Sequence, residues 1–244
     1  MKQTPDRITF PTAAAAAACA PRRDIYASIH KGLRAMMMDT LAIVGRADAH
    51  DAADRDAVYE CVLALGSACI SHLEHENDFV HPAMEARSPG STAHIAAEHA
   101  EHRAAIAELC AMARNLPSAR PGQMQEAVQA LYRKLALFVA ENFVHMQAEE
   151  AEHNPVLWAY YGDGELQALE GRIAASLPPA QQLLFMRWMI PAIAPAERAV
   201  LLASLRASAP PPVLAAVLDA VQPHLAPRDW ARLFSALEDV PEHY

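Results

Sequence analysis

Apolar residues recur at intervals of three and four along four stretches of this chain, and two of the stretches end in the same polar signature. From Asp24 onward, Tyr26, His30, Leu33, Met37, Leu41 and Val44 share one face of a predicted helix, with Gly45 as a stop signal. After an acidic link over residues 48–56, where Asp54 is a candidate cap, Val58, Val62, Leu65, Cys69, His72, Glu76 and Phe79 line a second helix. It should end near Pro82, because proline lacks an amide hydrogen and crowds the preceding turn. Ser88-Pro-Gly-Ser-Thr opens a third helix at about Thr92, with Ile95, His99, His102, Ile106, Leu109 and Ala113 on one face. A fourth runs from about Gln123 through Val128, Leu131, Leu135, Phe138, Asn142, His145 and Glu149 and should end at Pro155.

The second and fourth stretches repeat one another. In both, a His is followed by a Glu at i+4 (His72 and Glu76; His145 and Glu149) and by a Pro six residues beyond the Glu. With an offset of 73, residues 59–82 and 132–155 also pair Tyr59 with Tyr132, Leu65 with Phe138 and Ile70 with Phe143. A helical hairpin is therefore duplicated, which predicts an all-α, up-down four-helix bundle over residues 24–160. Residues 1–23 carry no usable period and are expected to form a flexible lead-in. Over residues 161–244 prolines punctuate short apolar segments, predicting a helical extension that packs on the bundle or joins a second subunit as a homodimer.

Composition supports helix and narrows the partners. Of the 244 residues 53% are hydrophobic, much of this alanine, and only 8 are glycine. A formal charge of −9 without clustered Lys or Arg argues against nucleic acid as a partner. The four cysteines (Cys19, Cys61, Cys69, Cys110) show no CxxC spacing, and three lie in apolar helical context, as expected of a reducing compartment. The alanine run before Cys19 is too poor in Leu, Ile and Val for an export signal, and no later run would span a bilayer. A cytoplasmic protein without a membrane partner is expected.

On a helix, i and i+4 lie one turn apart on one face, so each His–Glu pair aims an imidazole and a carboxylate at a common spot. His30 from the first helix and His99 or His102 from the third can join at the same level. Imidazoles suit several transition metals, but carboxylates shared between two centres favour iron or manganese pairs, and a dinuclear iron site open to a diatomic ligand fits this set best. Ferritin-like sites are richer in Glu and use the order Glu-x-x-His, unlike this chain. Two such pairs buried without a partner would cost on the order of several kcal/mol, which counts against a metal-free helical interaction protein. His75, His81, His94 and His153 flank the apolar stripe and are expected at the surface. Glu150 is expected to be solvated or to support a ligand from behind, and Tyr26 to pack in the core or hydrogen-bond a ligand.

His30-Lys-Gly-Leu-Arg, His72…Glu76…Pro82, Glu98-His99-Ala-Glu-His102 and His145…Glu149-Glu150…Pro155 resemble the haemerythrin family, in its bacterial HHE cation-binding form, over roughly residues 24–160. The resemblance implies a bundle holding two non-haem iron ions, with an oxo or hydroxo bridge and two bridging carboxylates. Such proteins bind or sense O2, NO or iron. It implies His30, His72, Glu76, His145 and Glu149 as metal ligands, with His99 and His102 both candidates on the third helix. These two stand three apart, where haemerythrins proper place two His four apart. A binding protein is the leading expectation, and an enzyme that reduces peroxide or NO, or repairs iron centres, is the alternative. Repair relatives carry a Cys-containing N-terminal segment, where this chain has only Cys19.

Overall fold

The computed structural model describes residues 22–118 and 121–238. The lead-in expected over residues 1–23, Cys19 included, lies outside them except for Arg22 and Arg23. Among the described residues every regular element is helical. Four long helices dominate: α1 (Ala27–Arg46), α2 (Ala52–His75), α4 (Ala93–Asn115) and α5 (Met124–Ala148), with a short α3 (His81–Glu85) between the second and third of them. α1 packs against α2 and α5, and α4 does the same, so the four close a ring. Its interior is filled by the predicted apolar stripes, including Leu33, Met37, Val62, Leu65, Ile106, Leu109, Leu131, Leu135 and Phe138. Each such side chain contributes about 1.5–3 kcal/mol on leaving water.

The cap of α2 is Asp51 rather than Asp54: its carboxylate accepts the amides of Ala53 and Asp54. Asp54 faces back and accepts the Asp48 amide at 2.7 Å, closing the link between the first two helices. Gly45 lies inside α1, which stops one residue later as Ala47 turns extended.

The two prolines do not end their helices. α2 runs on into a π turn, Glu76–Val80, and then into α3; α5 runs into a second π turn, Glu149–His153, and then into α6 (Asn154–Tyr160). In each, the residue after the turn donates its amide to a carbonyl five residues back, His81 to Glu76 and Asn154 to Glu149. A straight α-helix would drive each proline ring into the carbonyl four residues before it. The wider turn removes that clash and leaves Pro82 and Pro155 in the first turn of a new helix, where a missing amide hydrogen costs nothing.

The extension forms α7 (Asp163–Ser176), α8 (Pro179–Ala192), α9 (Pro195–Ser208), α10 (Pro211–Val221) and α11 (Pro227–Glu238), the last four each opening on proline. α8 lies along α1, close enough that a Cβ on Gly32 would stand 2.9 Å from Met189 Cγ. Ile190, Leu202, Val217, Val221, Leu233 and Leu237 form a second core under α9–α11. There Arg198 donates to the carbonyls of Ile190 and Pro191, which the end of α8 leaves without amide partners. A third cluster, Tyr26, Val80, Met84, Leu157 and Leu166, seals the ends of α3, α6 and α7 beneath the two π turns. No helix among the described residues is long and apolar enough to cross a membrane.

Candidate metal centre

Glu76 and Glu149 are the first residues of the two π turns, and His72 and His145 stand one helical turn before them. The early parts of α1 and α4 bring His30 and His99 to the same level. Glu149 and His30 are fully buried and Glu76 is 3% exposed. The six side chains fall into two halves that share both carboxylates. In one, His72 Nε2 lies 3.1 Å and His30 Nε2 3.9 Å from Glu76 Oε1, and His30 Nε2 lies 3.4 Å from Glu149 Oε2. In the other, His99 Nε2 lies 3.5 Å from both Glu76 Oε2 and Glu149 Oε1, and His145 Nε2 lies 3.4 Å from Glu149 Oε1. Each carboxylate thus turns one oxygen to each half, and each half offers two nitrogens and two oxygens close enough to hold one cation.

Of the two candidates on α4, His99 stands in this constellation and His102 does not. His102 packs edge-on against the rings of His145, 4.5 Å between centroids, and Phe138, and burial beside His145 holds its pKa down at about 4. His81 and His153, expected at the surface, are buried instead, whereas His94 is exposed as expected and His75 is half-buried. The physical reason is the π turn. When the hydrogen bond reaches five residues back, positions that an α-helix would send sideways come round toward the bundle axis. His81 stacks on His99 with 5.0 Å between centroids, and His81, His153 and Glu149 form a further group spaced to hold a cation. Proline six residues after each Glu was the sequence signal that could have placed them.

Outside the ring of Nε2 atoms, most of these imidazoles are steered through Nδ1. His30 Nδ1 meets Glu150 Oε1 at 2.9 Å, and Glu150 is itself held by Arg34 at 2.7 Å. His99 Nδ1 meets Asn77 Oδ1 at 3.0 Å, and His145 Nδ1 meets Glu98 Oε2 at 2.7 Å. His153 Nδ1 meets the Tyr26 hydroxyl at 2.9 Å, and the Tyr26 ring also packs on His30. A carboxylate or amide oxygen accepting from Nδ1, as at His30, His99 and His145, fixes the ring and keeps the proton there, leaving the Nε2 lone pair for a cation. Glu150 was legible in this role; Tyr26 takes the core position expected of it and in addition meets His153, while Asn77 and Glu98 were not legible.

Without a cation the site is electrostatically awkward. Burial and the neighbouring charge of Glu149 raise the Glu76 carboxyl to about 8. Burial alone would lower His30 and His145, but their carboxylate contacts outweigh it and raise both to about 9. Burial also works to raise Glu149, yet the close imidazoles of His145 and His99, 3.4 and 3.5 Å away, hold it well below the usual carboxylate range. His72 is pushed well below its usual value by burial and by His30. Two imidazolium ions thus stand in for positive charge that the carboxylates require.

The hydrogen-bond ledger gives the same answer. The Nε2 atoms of His30, His72, His81, His99, His145 and His153, and both oxygens of Glu76 and of Glu149, are buried without a hydrogen-bond partner among the described residues. Such orphaned groups are rare and cost about 1–3 kcal/mol each unless something binds them. Divalent cations with mixed nitrogen and oxygen preference fit this donor set. A surface depression of about 410 Å³ on the α4–α5 side is lined by Glu98, Glu101, His102, Ala140, Glu141, Val144 and His145.

A family model described as the hemerythrin HHE cation binding domain matches residues 23–157, more than half of the chain, and the chain belongs to that family. No curated protein and no solved structure gave a significant match.

Proposed function

We propose that this member of the hemerythrin HHE family holds two non-haem irons and binds O2 or a related small ligand such as NO, in carriage or in sensing. One observation carries the reading: both carboxylates turn one oxygen to each of two imidazole pairs, so that Glu76 and Glu149 are shared by two cation positions. In this reading His30 and His72 hold one ion, His99 and His145 hold the other, and the four long helices run up and down around them. His102 then shapes the approach rather than ligating. The irons supply a redox-active Lewis-acidic pair to which a small ligand can bind.

The chain's own groups prepare that pair. Glu150, Asn77 and Glu98 orient the imidazoles, and Arg34 keeps Glu150 ionised behind His30, where its carboxyl is lowered to about 2 by the His30 contact. The apolar seal of Tyr26, Val80, Met84, Leu157 and Leu166 keeps bulk water from the π turns.

Metal analysis of protein purified from iron-replete cells should give two irons per chain. Stopped-flow mixing of the reduced protein with O2 then separates the functions. A stable band that reverses on O2 removal supports carriage or sensing. Rapid irreversible oxidation with turnover identifies an oxidase or peroxidase, and much less than one metal per chain would point to a helical interaction protein.

A further inference from the structure

Beyond the two halves, one more set of buried donors converges. His81 and His153 are 6% and 1% exposed, and both end in Nε2 atoms without a hydrogen-bond partner among the described residues. Those two nitrogens and one oxygen of Glu149 all lie within 4.8 Å of one another, in a group that shares only Glu149 with either half. Each hairpin supplies one imidazole through its π turn: His81 follows the first turn and His153 closes the second, whereas His72 and His145 stand one helical turn before the glutamates.

The ring geometry keeps this trio apart from the halves. His81 stacks on His99 with 15° between ring planes, so its in-plane lone pair runs beside that of His99 rather than to a shared point. His81 and His153 instead meet edge to face, at 88° and 5.5 Å between centroids. The Tyr26 hydroxyl stands 2.9 Å from His153 Nδ1 and can accept a proton there, which leaves Nε2 its lone pair. Burial alone does not make such a set: His102 is also buried, but its unpartnered atom is Nδ1 and it joins no cation-sized group.

Two imidazoles and one carboxylate are the donors of open mononuclear sites, in which three protein ligands leave the remaining positions to water, and they suit zinc or ferrous iron. We propose that His81, His153 and Glu149 form a third cation position, separate from the two halves, that takes a divalent ion of this class. The count of three rests on the two-cation reading above; the position itself does not. Because one Glu149 oxygen has to serve this ion as well as a neighbouring one, the third position fills last and empties first, and two ions per chain remain after purification.

Equilibrium dialysis of the metal-free full-length chain against stepped free zinc, followed by metal analysis, tests this in the parent, in His81→Ala, in His153→Ala and in the double variant. The parent should take up a last, weakest zinc that each single variant lacks, and the double variant should lose that same single ion. Zinc-edge anomalous diffraction from parent crystals equilibrated with zinc should show it as a third peak, roughly 2.0–2.1 Å from both Nε2 atoms, that is missing in either variant. Should an alanine variant fail to fold, His81→Gln and His153→Gln keep the bulk without an imidazole and are read in the same way. Equal zinc uptake in parent and variants, or loss of two ions in the double variant, would overturn the inference. Two peaks between the shared carboxylates and none at His81 and His153 would overturn it and leave the two-cation reading standing. A peak at His81 and His153 alone would overturn that reading and support this position, and no peak at either place would overturn both.

Discussion

The two hairpins of the bundle arrive at the same backbone and furnish it differently. Both cross a π turn that opens on a glutamate and is followed by a proline, and both place a histidine one turn earlier. Beyond that the symmetry stops. The residue after the first turn is His81, while its counterpart after the second is Asn154; His153 closes the second turn where the first has the apolar Val80. The outer partners differ as well: Glu150 from the second hairpin reaches across to His30 of the first, whereas His99 and His145 of the second draw on Asn77 and Glu98. The backbone chemistry that shares two carboxylates is thus duplicated, and the tuning around it is not. A repeat can double a scaffold because helix periodicity is local, but the neighbours of each imidazole come from another helix.

The largest effect should come from the feature both halves share. Glu76→Ala and Glu149→Ala should each take bound metal from two ions per chain to nearly none, because each carboxylate serves both positions; metal analysis checks this. Loss of a single ion in one of them would mean that the halves do not share that carboxylate.

Next come the asymmetric supports. Glu98→Ala and Glu150→Ala should weaken metal binding by roughly 10- to 100-fold in a chelator competition, with Asn77→Ala at the lower end because a neutral amide polarises its imidazole less than a carboxylate does. Equal losses at all three would erase the distinction between the hairpins.

The protonation of the centre in metal-free protein predicts a third, smaller signal. His30 and His145 hold protons more tightly folded than unfolded, with pKa values raised from 6.5 to about 9 by their carboxylate contacts, which outweigh burial. Their stabilisation is whole below the unfolded value and is lost as pH rises through about 9. Glu76, raised from 4.5 to about 8 by burial and Glu149, acts with the same sign: whole below its unfolded value and lost through about 8. The metal-free protein should therefore melt at progressively lower temperature between about pH 6.5 and 9. Cation binding releases protons and strengthens over the same interval. The gap between holo and apo melting temperatures should widen as pH rises, and a constant gap would separate the titrations from the centre.

The smallest effect is expected at His102. His102→Ala should leave two metals bound and cost only packing against Phe138 and His145. A metal loss matching that of His99→Ala would count against the proposed choice of His99 as the α4 ligand.

The helical class, the apolar stripes, the duplicated hairpin and the convergence of His30, His72, Glu76, His145 and Glu149 were all legible along the chain, because 3.6-residue periodicity and i, i+4 spacing are properties of short segments. Tertiary structure alone put His99 rather than His102 beside the two carboxylates, buried His81 and His153, and supplied Asn77 and Glu98 as partners. A three-residue step on α4 leaves both histidines on one face, so only the position of the opposing carboxylates can choose between them. Pro82 and Pro155 announce a break, but whether a helix stops there or widens and continues depends on what waits to bury the next turn. Here that is the cluster of Tyr26, Val80, Met84, Leu157 and Leu166, gathered from segments far apart in the chain.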